Sequence, residues 1–242
     1  MKIRYILTIV FLMIIQLGWT QEKEQQIGPL TYGLAPSFKA ASTMGEITFP
    51  ENYFGKWKII FSHPADFTPV CTSEIMALVE AQDEFKDLNT SILVLSTDGL
   101  NSHIEWVKSI EGILSSGGGK KKIEFPLITD SDLKISKAYG ILHTDYSPTR
   151  DVRGVFFIDP ENKIRAFFKY PSSVGRNIAE IKRTLIALQT EDKYNVLIPG
   201  NWNPGDEVLL KSPATAQEAD KIQAKNNPDL RQAAWYLWYK KL

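Results

Sequence analysis

Between Phe61 and Glu74 the chain reads Phe-Ser-His-Pro-Ala-Asp-Phe-Thr-Pro-Val-Cys-Thr-Ser-Glu, and within that stretch lies the only cysteine of the sequence, Cys71. A single thiol can form no internal disulfide, no Cys-based zinc cluster and no CxxC pair. Alone it can serve as a nucleophile, and the reactive species is then the thiolate. Thr68 is a favoured N-cap residue and Pro69 a favoured first helical residue, so the spacing predicts that Cys71 lies in the first turn of a helix. There the unpaired backbone N–H groups and the positive end of the helix dipole favour an anion. A lone cysteine is more often inert core. The company of His63, Pro64, Thr68 and Glu74, with two prolines fixing the loop, points to chemistry instead.

The flanking patterns say what must position these residues. Trp57 to Ser62 reads as a strand, Val70 to Asp87 as a helix, Ile92 to Ser96 as a second strand and Ser102 to Ile113 as a second helix. The thiol therefore falls between the end of a strand and the start of a helix, where α/β folds place ligands and catalysts. Phe125 to Ile128 is short and extended, Ser131 to Tyr139 helical with Gly140 to stop it, and Val155 to Asp159 with Ile164 to Phe168 form a hairpin around Pro160-Glu161-Asn162. A helix from Asn177 to Gln189 follows. The order βαβαβαββα predicts an α/β domain over about residues 28 to 190, with helices packed on a mixed sheet. Residues 191 to 242 change character: prolines and glycines suggest an irregular arm, Ala214 to Lys225 a short helix. The aromatic end Trp235-Tyr236-Leu237-Trp238-Tyr239 should pack on the main domain or on a second subunit.

The residues quoted around Cys71 resemble the active-site signature of the peroxiredoxins, enzymes of thioredoxin-like fold that reduce peroxides with a cysteine thiolate. Asp151 to Pro171, DVRGVFFIDPENKIRAFFKYP, resembles the family's second block, which implies Arg153 as the active-site arginine, with Arg150 as second choice. SVGRN at residues 173 to 177 and NWNPGDEV at residues 201 to 208 resemble the one-cysteine, peroxiredoxin 6-type subgroup with its long C-terminal arm. The likeness spans about residues 28 to 242. It implies a thiol-dependent peroxidase acting on hydrogen peroxide and alkyl hydroperoxides through a sulfenic acid, with Cys71, Thr68 and Arg153 catalytic and no cofactor or metal. His63, Pro64, Glu74 and Arg176 are supporting candidates: His63 and Pro64 shape the pocket or bind substrate, Glu74 favours the dipole or bridges to an arginine, and Arg176 aids the site or is a surface or interface residue. Asp66 and Glu80 read as solvated. With no second cysteine, the sulfenic acid must be reduced by an external thiol, either a thioredoxin-like protein or a low-molecular-weight thiol, with over-oxidation competing. The subgroup also implies a homodimer or a larger ring. Some animal members have a lipase serine before the tryptophan of the first strand; Lys56 stands there in this chain, and that activity is not expected.

The chemistry demands more than an ionised thiol. An ordinary thiol of pKa about 8.5 is roughly 3% thiolate at pH 7, so complete ionisation gains only about 30-fold. The rest must come from donors aimed at the peroxide oxygens, and a permanently charged arginine with fixed donors suits that task. Rival readings lack support. A cysteine hydrolase using His63, His103 or His143 lacks an oxyanion-hole signature, and a metal site from those histidines lacks HxxxH or HxH spacing. A silent binding module on the same scaffold would not need the full constellation.

Composition adds bounds. The chain has 242 residues, 43% apolar and 23% charged, with 28 basic against 28 acidic side chains, so no global basic field favours nucleic acid. Lys2 and Arg4 precede an apolar run from Ile6 to Ile15 that ends near Gly18 and Thr20, the pattern of a secretory signal over residues 1 to 20. The run is short for a membrane span, which takes about 18 to 20 apolar residues. Cleavage and export to the periplasm or medium are expected, the alternative being an uncleaved N-terminal anchor. The Gly117 to Gly119 run with Lys120 to Lys122 reads as a solvated loop, since it lacks the phosphate-cradling GxxxxGK[ST] arrangement.

Overall fold

The computed structural model describes residues 28–117, 121–143, 146–224 and 227–242. The expected signal segment and residues Gly118 to Lys120 of the lysine loop lie outside them.

A central sheet of seven strands carries the domain. Two strands, β1 (Phe38–Ser42) and β2 (Gly45–Phe49), form an N-terminal hairpin; then come β3 (Trp57–Ser62), α1 (Pro69–Asp87), β4 (Thr90–Ser96), α2 (Leu100–Ser116), β5 (Leu127–Thr129) and α3 (Lys134–Ala138). A two-stranded excursion, β6 (Leu142–His143) with β7 (Ser147–Asp151), precedes β8 (Arg153–Ile158), β9 (Ile164–Tyr170) and α4 (Ile178–Tyr194). The strand order is β2-β1-β5-β4-β3-β8-β9. Strand β4 runs parallel to β3 and β5, while β8 and β9 are antiparallel, so the sheet is mixed as the element order predicts.

Strand β3 is buried at every position because helices and loops cover both faces. Its alternation sends Ile59 and Phe61 into a core with Ile75, Leu78, Ile110, Ile181 and Leu185 from the helices. Ile60 points the other way, into a core with Leu95, Ile128, Tyr139 and Phe156. Apolar side chains on both faces of one strand hold the element that ends at the Cys71 loop.

Several boundaries differ from the sequence reading, each for a local reason. Helix α3 begins later than Ser131, because Leu133 adopts a left-handed φ of 63° and the Asp130 carboxylate accepts the Ile135 and Ser136 amides. Helix α4 continues past Gln189 to Tyr194, where Asn195 at φ 51° ends it. It thus crosses the boundary expected at residue 190. The N-terminal hairpin, turned at Gly45 with φ 100°, and the β6–β7 pair were not foreseen.

The arm is more regular than its prolines suggest. Strands β10 (Val208–Leu209), β11 (Leu230–Ala234) and β12 (Leu237–Lys240) form a small sheet in the order β10-β12-β11, and helix α5 spans Ala216–Ala224. Trp202 and Val208 bury against Ala187 of α4. Of the aromatic end, Trp238 is buried, whereas Trp235 and Tyr236 stay exposed on the single chain and pack edge-to-face on each other, with ring centroids 5.4 Å apart.

Gly154 in β8 is closely packed against the end of β3. A Cβ there would sit 2.9 Å from Ser62 Oγ and 3.1 Å from both Ile141 Cγ2 and Phe156 Cε2. Gly154→Ala is expected to destabilise the fold by about 1–3 kcal/mol through overpacking, read as a lowered midpoint in urea unfolding with unchanged slope.

Candidate active site

The loop from His63 to Thr68 leaves β3 at its carboxyl end and feeds directly into α1. Thr68 has the extended N-cap backbone, Pro69 is the first helical residue, and Cys71 falls in the first turn, as the spacing predicts. Phe67, just before the cap, adopts a left-handed φ of 54°, a rare conformation for a bulky side chain, and stands exposed. The antiparallel pairing of Phe61 with Val155 puts the start of β8 beside the end of β3, so Arg153 reaches the same loop from across the sheet.

Cys71 is fully buried. Arg153 Nη1 donates to its Sγ at 3.2 Å and to Glu74 Oε2 at 2.6 Å. Arg153 Nε and Nη2 donate to the Ser172 carbonyl at 2.9 and 2.6 Å. Four of the five guanidinium N–H groups are thereby engaged, and one on Nη2 has no partner among the described residues.

Glu74, one helical turn beyond Cys71, faces both arginines. Its Oε1 accepts Arg176 Nε at 2.8 Å and the Arg176 amide at 2.7 Å, and its Oε2 accepts Arg176 Nη2 at 2.9 Å. Arg176 also donates from Nη1 to the carbonyls of Ser62 and Gly154, and its guanidinium lies 5.2 Å from the centroid of Phe61. Arg176 is thus a buried strut that fixes Glu74, while Arg153 is the arginine in contact with the thiol. Arg150, the second choice from sequence, is exposed on β7 and does not enter the site. Burial alone would push the Glu74 carboxyl up, but the Arg176 hydrogen bonds and charge, with the Arg153 charge, hold it below the usual carboxylate range.

Thr68 departs from its expected local role. Its hydroxyl makes no cap bond and donates to the Ala65 carbonyl at 2.9 Å. Its one proton is therefore committed, and towards the site the oxygen can only accept. His63 and Pro64 are both buried. Neither ring nitrogen of His63 makes a hydrogen bond among the described residues, although Nε2 lies 3.7 Å from Asp66 Oδ1. Burial pushes its pKa down to about 3 against the opposing Asp66 charge, so the ring is neutral at physiological pH.

Two further features were not apparent in the sequence. Asp66, read as solvated, is buried: its carboxylate meets His103 Nδ1 of α2 at 2.8 and 3.1 Å, and its amide donates to Asp98 at 2.8 Å. The reason is that α2 packs over the loop, and His103 completes the anchor by reaching the Ile128 carbonyl with Nε2. Glu80 is exposed and pairs with Lys121. Ser62 was not singled out either, although its Oγ accepts the Gly154 amide and donates to the Val152 carbonyl, tying β3 to the start of β8.

Residues 33–167 match the AhpC/TSA family and residues 187–225 match the C-terminal domain of 1-Cys peroxiredoxin. The chain is 44% identical over 214 residues to a peroxiredoxin of Methanosarcina mazei, covering 88% of this chain and 98% of that one. It is 44% identical to peroxiredoxin 2 of Caldanaerobacter subterraneus, covering 86% and 91% respectively. Among solved structures, the yeast mitochondrial 1-Cys peroxiredoxin aligns with a TM-score of 0.76 at 34% identity over 88% of this chain and 99% of that one. Peroxiredoxin 6 of Arenicola marina aligns with a TM-score of 0.79 at 29% identity, over 88% and 98%. The chain belongs to the peroxiredoxin family and has its thioredoxin-like fold, extended by a region that matches the C-terminal domain of 1-Cys peroxiredoxin. It is a thiol peroxidase, an oxidoreductase acting on peroxide, with one buried cysteine.

Replacing Glu74 tests the bridge. Glu74→Gln should lose about 3–5 kcal/mol at pH 7, because two buried guanidinium groups lose their counter-charge. Since the folded carboxyl titrates below its unfolded value, this contribution is present above the unfolded pKa of about 4.3 and fades as pH falls through the folded one. Chemical denaturation at pH 7 and in acid should show the gap to wild type closing in acid.

Proposed function

We propose that Cys71 is the peroxidatic nucleophile of a one-cysteine cycle and that Arg153 and Thr68 orient the peroxide against it. The observation that carries this reading is the 3.2 Å contact from Arg153 Nη1 to the Sγ of the sequence's only cysteine. The thiolate attacks the terminal oxygen of R–O–O–H, the S–O bond forms as the O–O bond breaks, and RO⁻ leaves to take up a proton. Cys71 becomes a sulfenic acid. Charge migrates from sulfur to the leaving oxygen, and the unengaged Nη2 hydrogen of Arg153 supports stabilisation of that oxygen. The Thr68 hydroxyl, with its own proton on Ala65, suits acceptance of the peroxide O–H. Neutral His63 completes the polar lining without acting as a base, and Pro64, Glu74 and Arg176 hold the frame.

The reducing half follows from the cysteine count. Two external thiols convert the sulfenic acid to thiol and water and become a disulfide. The yeast relative is described as resolved through glutathione and thioredoxin systems, which supports a low-molecular-weight thiol or a thioredoxin-like protein as donor here. Trp235 and Tyr236, exposed on the arm, support a homodimer or larger ring. The charged and apolar start of the chain supports export with removal of residues 1 to 20, the retained anchor being the alternative.

Cys71→Ser should abolish peroxide consumption, and mass spectrometry of the wild type should find one and then two added oxygens on Cys71. Arg153→Ala should slow the single-turnover reaction with hydrogen peroxide by about 10²–10³-fold, the usual loss for one charge-stabilising donor; an unaltered rate would exclude its role. Protein recovered from exporting cells should have the intact mass of a chain starting at Gln21 and sediment above the monomer; a full-length mass or a monomer would reject the corresponding assignment.

A further inference from the structure

Asp151 ends β7, two residues before Arg153, and its side chain is fully buried. Neither carboxyl oxygen has a hydrogen-bond partner among the described residues. Its neighbours are the wrong ones for an anion. Ser136 of α3 lies beside it, but that hydroxyl gives its only proton to Asp130 Oδ2 at 2.6 Å. Towards Asp151 it can therefore offer only lone pairs. Among the described residues, the charged groups facing Asp151 are the carboxylates of Asp130, ahead of α3, and Asp98, after β4. Both are held by donors of their own. Asp130 takes the Ile135 and Ser136 amides as well as the Ser136 hydroxyl, and Asp98 takes the Asp66 amide and the Ser96 hydroxyl. An ionised Asp151 would be a buried anion facing two others without a donor, whereas a protonated one can donate to Ser136 Oγ.

The position of this residue gives the arrangement its consequence. The next residue, Val152, donates to the Ile141 carbonyl and accepts Ser62 Oγ with its own, and the same Ser62 Oγ accepts the Gly154 amide. The Gly154 carbonyl in turn receives Arg176 Nη1. The segment from Asp151 to Gly154 is thus the footing from which Arg153 reaches Cys71.

We propose that Asp151 is a positioning residue for Arg153 and acts as a neutral carboxylic acid, so that its ionisation in alkaline solution loosens this footing and reversibly slows peroxide reduction. The proposal rests on the reading of Arg153 given above. Burial, reinforced by the Asp130 and Asp98 charges, pushes the Asp151 pKa up to about 8, which places the transition in an accessible range. The sign follows. The acid form is favoured in the fold, so the stability it contributes is full below the unfolded pKa of about 3.9, declines from there to about pH 8 and then levels off.

The test is the single-turnover rate of the reduced protein with hydrogen peroxide between pH 6 and 10, taken as the ratio of wild type to Asp151→Asn so that the ionisation of Cys71 itself cancels. Asparagine imitates the neutral acid and can donate to Ser136. The expected ratio is flat in the lower range and falls above about pH 8, approaching tenfold per pH unit, with recovery on return to pH 7. Asp151→Thr, also a neutral donor, serves if the asparagine variant does not fold. Infrared spectroscopy gives a second readout: a carboxylic-acid C=O band in wild type at pH 7 that is missing from the variant and titrates with the rate. A ratio constant across the range, or an acid band unaffected by Asp151→Asn, overturns the proposal. Full activity of Arg153→Ala would instead remove the reading on which it rests, and the two failures are separately visible.

Discussion

Everything in the site hangs on one carboxylate. Glu74 accepts three bonds from Arg176 and one from Arg153, and the arginines would otherwise repel each other in a dry interior. A buried charge cluster of this kind contributes little net stability compared with apolar packing, yet losing one member is costly. What the bridge provides is placement. Glu74 lies one turn after Cys71 on the same helix, so the arginine it captures is brought to the sulfur by helical geometry alone.

Only part of this was legible in the sequence. The loop from Phe61 to Glu74 could be placed between strand and helix because Thr68, Pro69 and the apolar spacing of Ile75, Leu78, Val79 and Phe85 are local signals. Mixed-sheet topology followed from the element order, which reflects how short connections restrict pairing. The likeness of DVRGVFF to a known block pointed to Arg153, and antiparallel pairing with β3 then explains why an arginine 82 positions from Cys71 touches it.

The rest depended on tertiary contacts with no sequence period. Asp66 looked solvated because a charged residue in a turn usually is, and nothing in the chain indicates that His103 would fold over it from α2. Thr68 has the residue type and backbone of a cap, but its hydroxyl chose the Ala65 carbonyl, a competition among short-range acceptors that propensity does not decide. The arm was read as irregular because β10 and β12 are short and pair across a long separation in the chain.

The complete burial of Cys71 sets an asymmetry between the two halves of the cycle. A peroxide presents two small oxygens to the sulfur, whereas any thiol that reduces the sulfenic acid brings a bulkier sulfur and must approach along the S–O axis. The reducing half therefore asks for more room at the buried sulfur than the oxidising half does.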